Sequence, residues 1–277
     1  MDIKNIDLDK SEEFYFKANK ALWNVKTPIH VKSEFYENDA FLNGKSSLTE
    51  VENEFLPEVK GKRLIHLQCH FGQDTISLER MGAHCTGIDF SNIAIEHAQK
   101  TAMELNLSTK FYESNVYDVL DLNLGKFDIV FTSYGVLSWL PDLKKWADVI
   151  SGLLKPGGLL YIAEFHPLLY MYEFESQELQ YPYGSPGKVF SDSESFTYAD
   201  RNYPLESVSY FWQHNFDEII SALLDNDLEI LRFKEIEFSP YNCFPHMKEI
   251  APKRYQYGKA ELKIPHIFHI LARKRGE

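Results

Sequence analysis

The sequence is short of cysteine, of positive charge and of long apolar runs, and each shortage removes a class of protein. Only Cys69, Cys85 and Cys243 occur in 277 residues. An odd, sparse set is no disulfide framework and fits a reducing compartment, so a cytoplasmic location is expected. Lysine and arginine total 29 against 41 acids, a formal charge of −12. That balance aids solubility and gives no general attraction to nucleic acid or an anionic membrane. No apolar segment approaches the roughly 20 residues of a membrane span. The opening stretch MDIKNIDLDKSEEF is acidic and has no apolar run. It is expected to be neither a signal nor a transit peptide. Internal repeats and low-complexity tracts are also missing.

Rings are plentiful: 20 Phe and 16 Tyr imply an aromatic core or an aromatic pocket. The length suits one large domain, or one domain with a cap. Residues 1–60 are polar, with Phe14, Phe16, Trp23, Phe35, Tyr36, Phe41 and Phe55 scattered among them. They read as two or three short helices with no core of their own, an N-terminal cap on a main domain at 61–277.

From residue 61 the pattern alternates. Strands are expected at 63–68, 84–88, 109–113, 127–132 and 158–164, with helices at 73–81, 92–106 and 141–153. Gly82 suits a helix C-terminus, Ser91 an N-cap and Pro141 a first helical turn. Lys155-Pro156-Gly157-Gly158 reads as a tight turn. Such alternation implies a parallel sheet with helices on both faces. Residues 166–210 break the pattern, with many rings, turn residues such as YPYGSPGK at 181–188 and little helical period. A long excursion after a core strand usually covers a site, so an aromatic-rich lid is expected there. Residues 214–226 return to an amphipathic helix. Final strands are expected at 228–238 and 264–274, and the alternation in the last one suits an edge or antiparallel strand.

The most informative stretch is LIHLQCHFGQDT at 64–75, followed by GIDFS at 87–91. A strand runs into a tight loop and a helix, and a second strand ends on Asp89, 21 positions after Gln68. This is the layout of a nucleotide-binding βαβ unit, in which such a carboxylate reaches a ribose. The loop holds one glycine, Gly72, where three are usual.

With the downstream landmarks, the chain resembles a class I S-adenosylmethionine-dependent methyltransferase. The family's first motif is an acid, a spacer, then Gly-x-Gly-x-Gly. In this chain His66 stands at the acidic position, Gln68 and His70 at the first two glycines and Gly72 at the third. GIDFS supplies Asp89 as the ribose acid. SNVYDV at 114–119 fits the adenine segment, FDIVFTSYGVLSWLPDL at 127–143 the fourth strand and its loop, and LLKPGGLLYIAEFHP at 153–167 the fifth. The match spans about 61–167. It implies an α/β fold, doubly wound, with a mostly parallel seven-stranded Rossmann-like sheet, an antiparallel last strand and a cap.

The resemblance also implies roles. Loop amides at Gly72 would meet the methionyl carboxylate. Gln68 and His70 either narrow the loop or donate to that carboxylate, and a neutral His66 accepts from the ammonium. Asp89 accepts from both ribose hydroxyls, with helix capping as the alternative. Phe90 packs on adenine or in the core. Asn115 and the amide of Val116 meet the adenine edge, with a plain polar loop residue as the alternative for Asn115. Thr132, Ser133 and Tyr134 lie beside the methionyl group, and Tyr134 faces the sulfonium or simply packs. Tyr36 and Phe41 close over the cofactor or pack as surface helix residues. Methyl transfer needs orientation and a dry pocket, and a base only if the acceptor arrives protonated. His166 and His214 are the base candidates, each against a structural alternative.

Several readings compete. The leading one is an enzyme that methylates a small molecule from S-adenosylmethionine. The same βαβ unit would serve an NAD-type oxidoreductase, though a pyrophosphate needs the missing glycines. A third is a cofactor-binding module without turnover. His66, Cys69, His70, His84 and Cys85 have no recurring tetrahedral spacing, so no metal is expected. SPYN at 239–242 is similar to a loop of amino-group methyltransferases, but it follows the sixth strand instead of the fourth and is set aside. No nucleic-acid or membrane partner is expected, and a homodimer stays open.

Overall fold

The computed structural model describes residues 10–258 and 263–276. Most of the acidic opening stretch read above as no leader lies outside the described residues. The described residues open with one helix of 21 residues, α1 (Glu12–Lys32), where the sequence predicts only short ones. Ser11 caps it and Glu12 and Glu13 favour its first turn. Its length is set by what it covers, described below. A 3₁₀ turn (Glu34–Tyr36), α2 (Asn38–Leu42) and α3 (Glu50–Phe55) follow. In α3, Thr49 and Glu52 form a reciprocal capping box.

The alternating region then runs β1 (Arg63–Leu67), α4 (Gln73–Arg80), β2 (His84–Asp89), α5 (Asn92–Glu104), β3 (Lys110–Glu113), β4 (Phe127–Ser133), α6 (Leu143–Leu153) and β5 (Leu154–Phe165). Two hairpins come next, β6 (Tyr172–Glu173) with β7 (Glu178–Leu179), and β8 (Val189–Glu194) with β9 (Ser207–Trp212). After α7 (Phe216–Asp225) and β10 (Leu228–Ile236), a small pair β11 (Lys248–Ala251) and β12 (Arg254–Gln256) precedes β13 (Ile267–Lys274).

Seven strands form the main sheet in the order β3-β2-β1-β4-β5-β13-β10. The first five are parallel, and β13 is antiparallel to both its neighbours. The order reverses between β1 and β4, which opens a crevice at the strand C-termini. Period-2 alternation drives the packing. Ile65, Val130, Leu160 and Ile162 face α6 and α7, while Leu64, Ile129, Phe131 and Tyr161 face α3 and its neighbours. Both faces are therefore dry, as parallel strands require.

Two punctuation signals act differently from expectation. Pro141 precedes the helix: Asp142 is the N-cap, accepting from the Lys145 amide at 2.9 Å, so α6 starts at Leu143. Lys155–Gly158 is a bulge inside β5, since Leu154 pairs with Phe127 and Leu159 with Ile129. Gly157 takes φ +77°, and Lys155 Nζ reaches the facing Asp128 at 2.6 Å. The 166–210 segment, expected to be without pattern, is built around the two hairpins. Val189, Tyr210 and Trp212 of the longer one pack on Tyr15 of α1. Asn19 of α1 clamps that hairpin, donating to Tyr210 O at 2.7 Å and accepting from Tyr210 N at 2.9 Å. A side-chain amide thus satisfies one backbone pair at an open strand edge.

Gly87 in β2 touches the α5 side of the sheet. A Cβ there would lie 2.5 Å from Phe111 Cε1 and 2.9 Å from Cys69 Sγ. Gly87→Ala should therefore destabilise the fold by about 1–3 kcal/mol through overpacking. Denaturant titration checks this; an unchanged midpoint would show that Phe111 swings aside freely.

Candidate functional site

The chain's topology makes a crevice at the end of β1 and β4, and three loops build its floor. The first is residues 68–72. Gln68 takes φ +55°, His70 φ +50° and Gly72 φ +84°. The backbone therefore keeps left-handed turns at the motif positions although two of them carry side chains. Those side chains are occupied by the protein. Gln68 Nε2 donates to Val136 O at 3.1 Å, and His70 Nε2 lies 2.9 Å from His30 Nδ1 of α1. Trp23 packs edge-on to His70, centroids 5.1 Å apart. Gln68 and His70, expected to narrow the loop or to donate to a carboxylate, thus contact the β4 loop and α1 in this structure.

The second loop follows β2. Asp89 is buried and bridges the two loops: Oδ2 accepts from His70 N and Oδ1 from Ser91 N, each at 2.8 Å. Burial pushes its carboxyl up to about 6, while the Ser91, His70 and Phe90 amides pull the other way. Each oxygen keeps a second lone pair for a ligand hydroxyl. Ser91 N-caps α5, so capping falls to the serine side chain. Phe90, Asn115 and Val116 also line the crevice. Asn115 Oδ1 accepts from Tyr117 N at 3.1 Å, capping a 3₁₀ turn.

The third loop follows β4. Tyr134 (φ +32°) and Gly135 (φ +70°) turn the chain, and Glu164 of β5 receives the backbone N–H groups of Gly135, Val136 (2.7 Å), Leu137 (3.0 Å) and Phe165 (2.6 Å). Burial pushes the Glu164 carboxyl up against those four amides. Ser133 lines the crevice and donates to Asp74 Oδ2 at 3.1 Å. The Tyr134 hydroxyl donates to Glu52, whose other oxygen takes the Thr49 hydroxyl at 2.6 Å.

Above the floor, Tyr36, Tyr198, Tyr241 and Trp139 wall a cleft of about 2220 Å³. Typical small-molecule pockets hold about 300–1,000 Å³, so this one has room for two ligands side by side. Tyr36 hydroxyl meets Tyr198 hydroxyl at 2.5 Å, joining the cap segment to the hairpin insertion.

Three expected residues stand apart from the cleft. Thr132 is fully buried, its hydroxyl 3.4 Å from Leu67 O. His166 is spent on both nitrogens: Leu168 N donates to Nδ1 at 3.1 Å, so Nε2 carries the proton toward Glu235 at 2.7 Å. His214 lies ahead of α7, 2.7 Å from Leu140 O and 3.4 Å from Glu218. Neither histidine lines the cleft. Phe41 packs in a core cluster with Cys69, Ile76 and Phe111. His66 is 2% exposed and reaches the cleft floor, with Nδ1 at 2.9 Å from Thr75 Oγ1. Among the described residues no group of three His, Cys, Asp or Glu side chains could hold a metal.

Four participants were not foreseen. His30 and Tyr198 have no sequence signal. Glu52 was visible as the fourth residue of a Thr-x-x-Glu capping box, and Asp74 as an acid in the first turn after Gly72. The SPYN segment, set aside above, does line the cleft: the Tyr241 ring is 5.1 Å from that of Tyr134.

A family model described as a methyltransferase domain matches residues 65–160. An uncharacterized protein of Rickettsia prowazekii is 31% identical over 112 residues, covering 39% of this chain and 20% of that protein. A ubiquinone biosynthesis O-methyltransferase of Alkalilimnicola ehrlichii is 30% identical over 100 residues, 36% of this chain and 40% of its own. The chain thus spans less than half the length of these curated relatives. Among solved structures, an S-adenosylmethionine-dependent methyltransferase of Methanosarcina mazei superposes with TM-score 0.55 at 20% identity, covering 83% of this chain and 99% of its own. The [4+2]-cyclase SpnF gives 0.59 at 17% identity, covering 99% of this chain and 100% of its own. At these identities the likeness is one of fold.

Burial holds His66 down at about 3, below its ordinary 6.5. Between those values the unfolded chain binds a proton that the folded chain refuses. Stability from this residue is therefore full above pH 6.5 and lost as pH falls toward 3, by up to about 1.4 kcal/mol per pH unit. His66→Gln should flatten the slope of stability against pH in that window. Parallel denaturation profiles for the two proteins would refute it.

Proposed function

We propose that the protein transfers a methyl group from S-adenosylmethionine to a small molecule: residues 65–160 match a methyltransferase domain, and the fold is shared with S-adenosylmethionine-dependent methyltransferases. The observation that carries this reading is Asp89, held by two backbone amides at the end of β2 beside the left-handed loop. The residues present fit the cofactor. Asp89 has spare lone pairs for the ribose, and the Gln68 Oε1 is buried with no partner in reach, an acceptor available to an ammonium. Phe90, Asn115 and Val116 offer a wall and polar edges to adenine. Bound there, S-adenosylmethionine supplies an electrophilic methyl group on sulfur.

The chain's own part is orientation and exclusion of water. Tyr134 gives its hydroxyl to Glu52, so what it presents to the cleft is ring surface. Tyr36 and Tyr198 would close the cleft from opposite elements. This is consistent with residues 1–60 as a cap, 61–277 as the main domain and 166–210 as a lid. No described helix is long and apolar enough to cross a membrane. Together with the acidic balance, this supports a small cytoplasmic acceptor over nucleic acid or lipid, and a homodimer remains compatible with the reading. A non-catalytic binding module is the second reading, favoured by the side chains at Gln68 and His70. The NAD-type alternative has no such support.

Titrating the full chain with S-adenosylhomocysteine tests the reading. Asp89→Ala should weaken binding by about 1–3 kcal/mol, the scale of charge-assisted hydrogen bonds. Isotopically labelled cofactor and a macromolecule-free extract should then yield one labelled small molecule. Unchanged affinity in a folded Asp89→Ala variant would remove the ribose role, and tight binding without any labelled product would leave the binding module.

A further inference from the structure

Asp74 is an acid in the cleft with no cation beside it. It sits in the first turn of α4, half-buried, and lines the cleft. Its oxygens take the Ser47 hydroxyl at 2.6 Å and the Ser133 hydroxyl at 3.1 Å. No lysine, arginine or histidine forms an ion pair with it among the described residues. Glu52, fully buried, lies near enough that Asp74, after burial, helps to raise its carboxyl, and it too lacks a cation. Most cations that line the cleft are engaged with other acids: Lys26 with Glu194 at 3.0 Å, Lys253 with Glu37 at 3.1 Å, Lys45 with the same Glu37 and Arg254 with Glu50 at 2.6 Å, while Lys32 forms an ion pair with no acid among the described residues.

Rings surround the same acid. Tyr134 adjoins Ser133, and its ring is 5.1 Å from Tyr241. Tyr36 and Tyr241 line the same cleft as Asp74, and Gln73, its neighbour in the chain, donates to Tyr36 O at 3.2 Å; burial first, with Asp74 among the further causes, holds both phenols well above their ordinary range. Independently, His66 is 98% buried by its 2% exposure and reaches this floor with Nε2 unpartnered. Its Nδ1 faces the hydroxyl of Thr75, the residue after Asp74. With the proton on Nδ1, Nε2 is an acceptor waiting for an N–H.

We propose that the methyl acceptor is an amine, bound as a cation at Asp74 with the rings of Tyr36, Tyr134 and Tyr241 around it and His66 Nε2 accepting a second N–H. This rests on the methyl-transfer reading above. A carboxylate or phosphate acceptor would meet negative charge with no cation beside it, and a neutral alcohol would gain one hydrogen bond to the acid, as Ser47 and Ser133 do, but no ion-pair or ring-face attraction. A cation gains from both the carboxylate and the ring faces. The chemistry balances. The ammonium gives one N–H proton to Asp74, and its freed lone pair forms the N–C bond as the C–S bond breaks onto sulfur. The product is again a cation and the proton leaves to solvent. Burial raises the Asp74 carboxyl, the direction that suits a proton acceptor.

Calorimetric titration of the full chain tests this, with and without S-adenosylhomocysteine, using benzyltrimethylammonium, benzyl alcohol and benzoate as probes. The cation, a stand-in for a methylated product, should bind at least about tenfold more tightly than the other two. Asp74→Asn should abolish that preference and leave S-adenosylhomocysteine affinity unchanged. Tyr241→Leu, with its melting curve recorded, should reduce cation affinity and serves if the Asp74 variant fails to fold. Three results overturn the proposal: benzyl alcohol or benzoate matching the cation, no saturable cation binding, or cation affinity untouched in both folded variants. Loss of S-adenosylhomocysteine binding in Asp74→Asn also overturns it, assigning the acid to the cofactor. If the wild type ignores S-adenosylhomocysteine yet prefers the cation through Asp74, the methyl-transfer reading falls and the ammonium site stands.

Discussion

One buried carboxylate holds the crest of this sheet together. Glu164, near the end of β5, receives four backbone N–H groups, three of them from the turn that leaves β4. That turn runs through left-handed Tyr134 and Gly135, a path that breaks strand pairing and strands its amides. A buried unpaired N–H costs about 1–3 kcal/mol, so three of them would be enough to unmake the turn. Glu164 removes that cost in a single side chain, at the expense of burying its own charge. Because the turn is fixed, Val136 O is in place for Gln68, Ser133 for Asp74 and Tyr134 for Glu52.

Asp89 plays the matching part on the other side of β1. It ties the 68–72 loop to the start of α5 through His70 N and Ser91 N. The loop needs such a tie. Left-handed conformations at Gln68 and His70 cost roughly 1–2 kcal/mol each relative to glycine. The side chains return part of that through Val136 O and His30, contacts a glycine could not make. A glycine-poor version of the motif is therefore consistent with the same backbone. The difference is that the loop is now coupled to α1 and to the β4 turn, so those elements and the ligand floor move as one.

Much of the fold was legible because its signals are local. Each core strand alternates within itself, so Leu64–Leu67 and Ile129–Phe131 announce two buried faces without knowledge of any partner. Asp89 was readable because its distance from the loop is a sequence quantity. Residues that depend on distant partners were not. His166 looked available, yet Glu235, 69 positions away, takes its Nε2. Glu52 and Tyr134 meet across 82 positions. Pro141 has the φ of a first helical turn, but Asp142 beside it is the better cap, and a side-chain acceptor outranked a fixed dihedral. α1 was underestimated for a similar reason. Its polar, ring-dotted sequence gains its stability from the β9 edge and from α5, both far downstream.

The contacts that shut the cleft differ in kind from those that shape it. The floor is fastened by buried carboxylates on backbone amides. The cover, on the proposed reading of the cap and the 166–210 insertion, is fastened by neutral pairs, His30 with His70 at 2.9 Å and Thr197 at 2.5 Å and Tyr36 with Tyr198 at 2.5 Å, and by ion pairs, the exposed Lys253–Glu37 and Arg254–Glu50 and the more buried Lys26–Glu194. A neutral hydrogen bond contributes about 0.5–1.5 kcal/mol net, since water replaces it on opening. Releasing the three neutral bonds therefore costs only a few kcal/mol, and the exposed ion pairs add about 0–1 kcal/mol each, which leaves Lys26–Glu194 as the stronger tie. Releasing Glu164 or Asp89 would leave charge or amides buried and unpaired. The division lets a cover open for ligand exchange while the surface beneath it keeps its geometry.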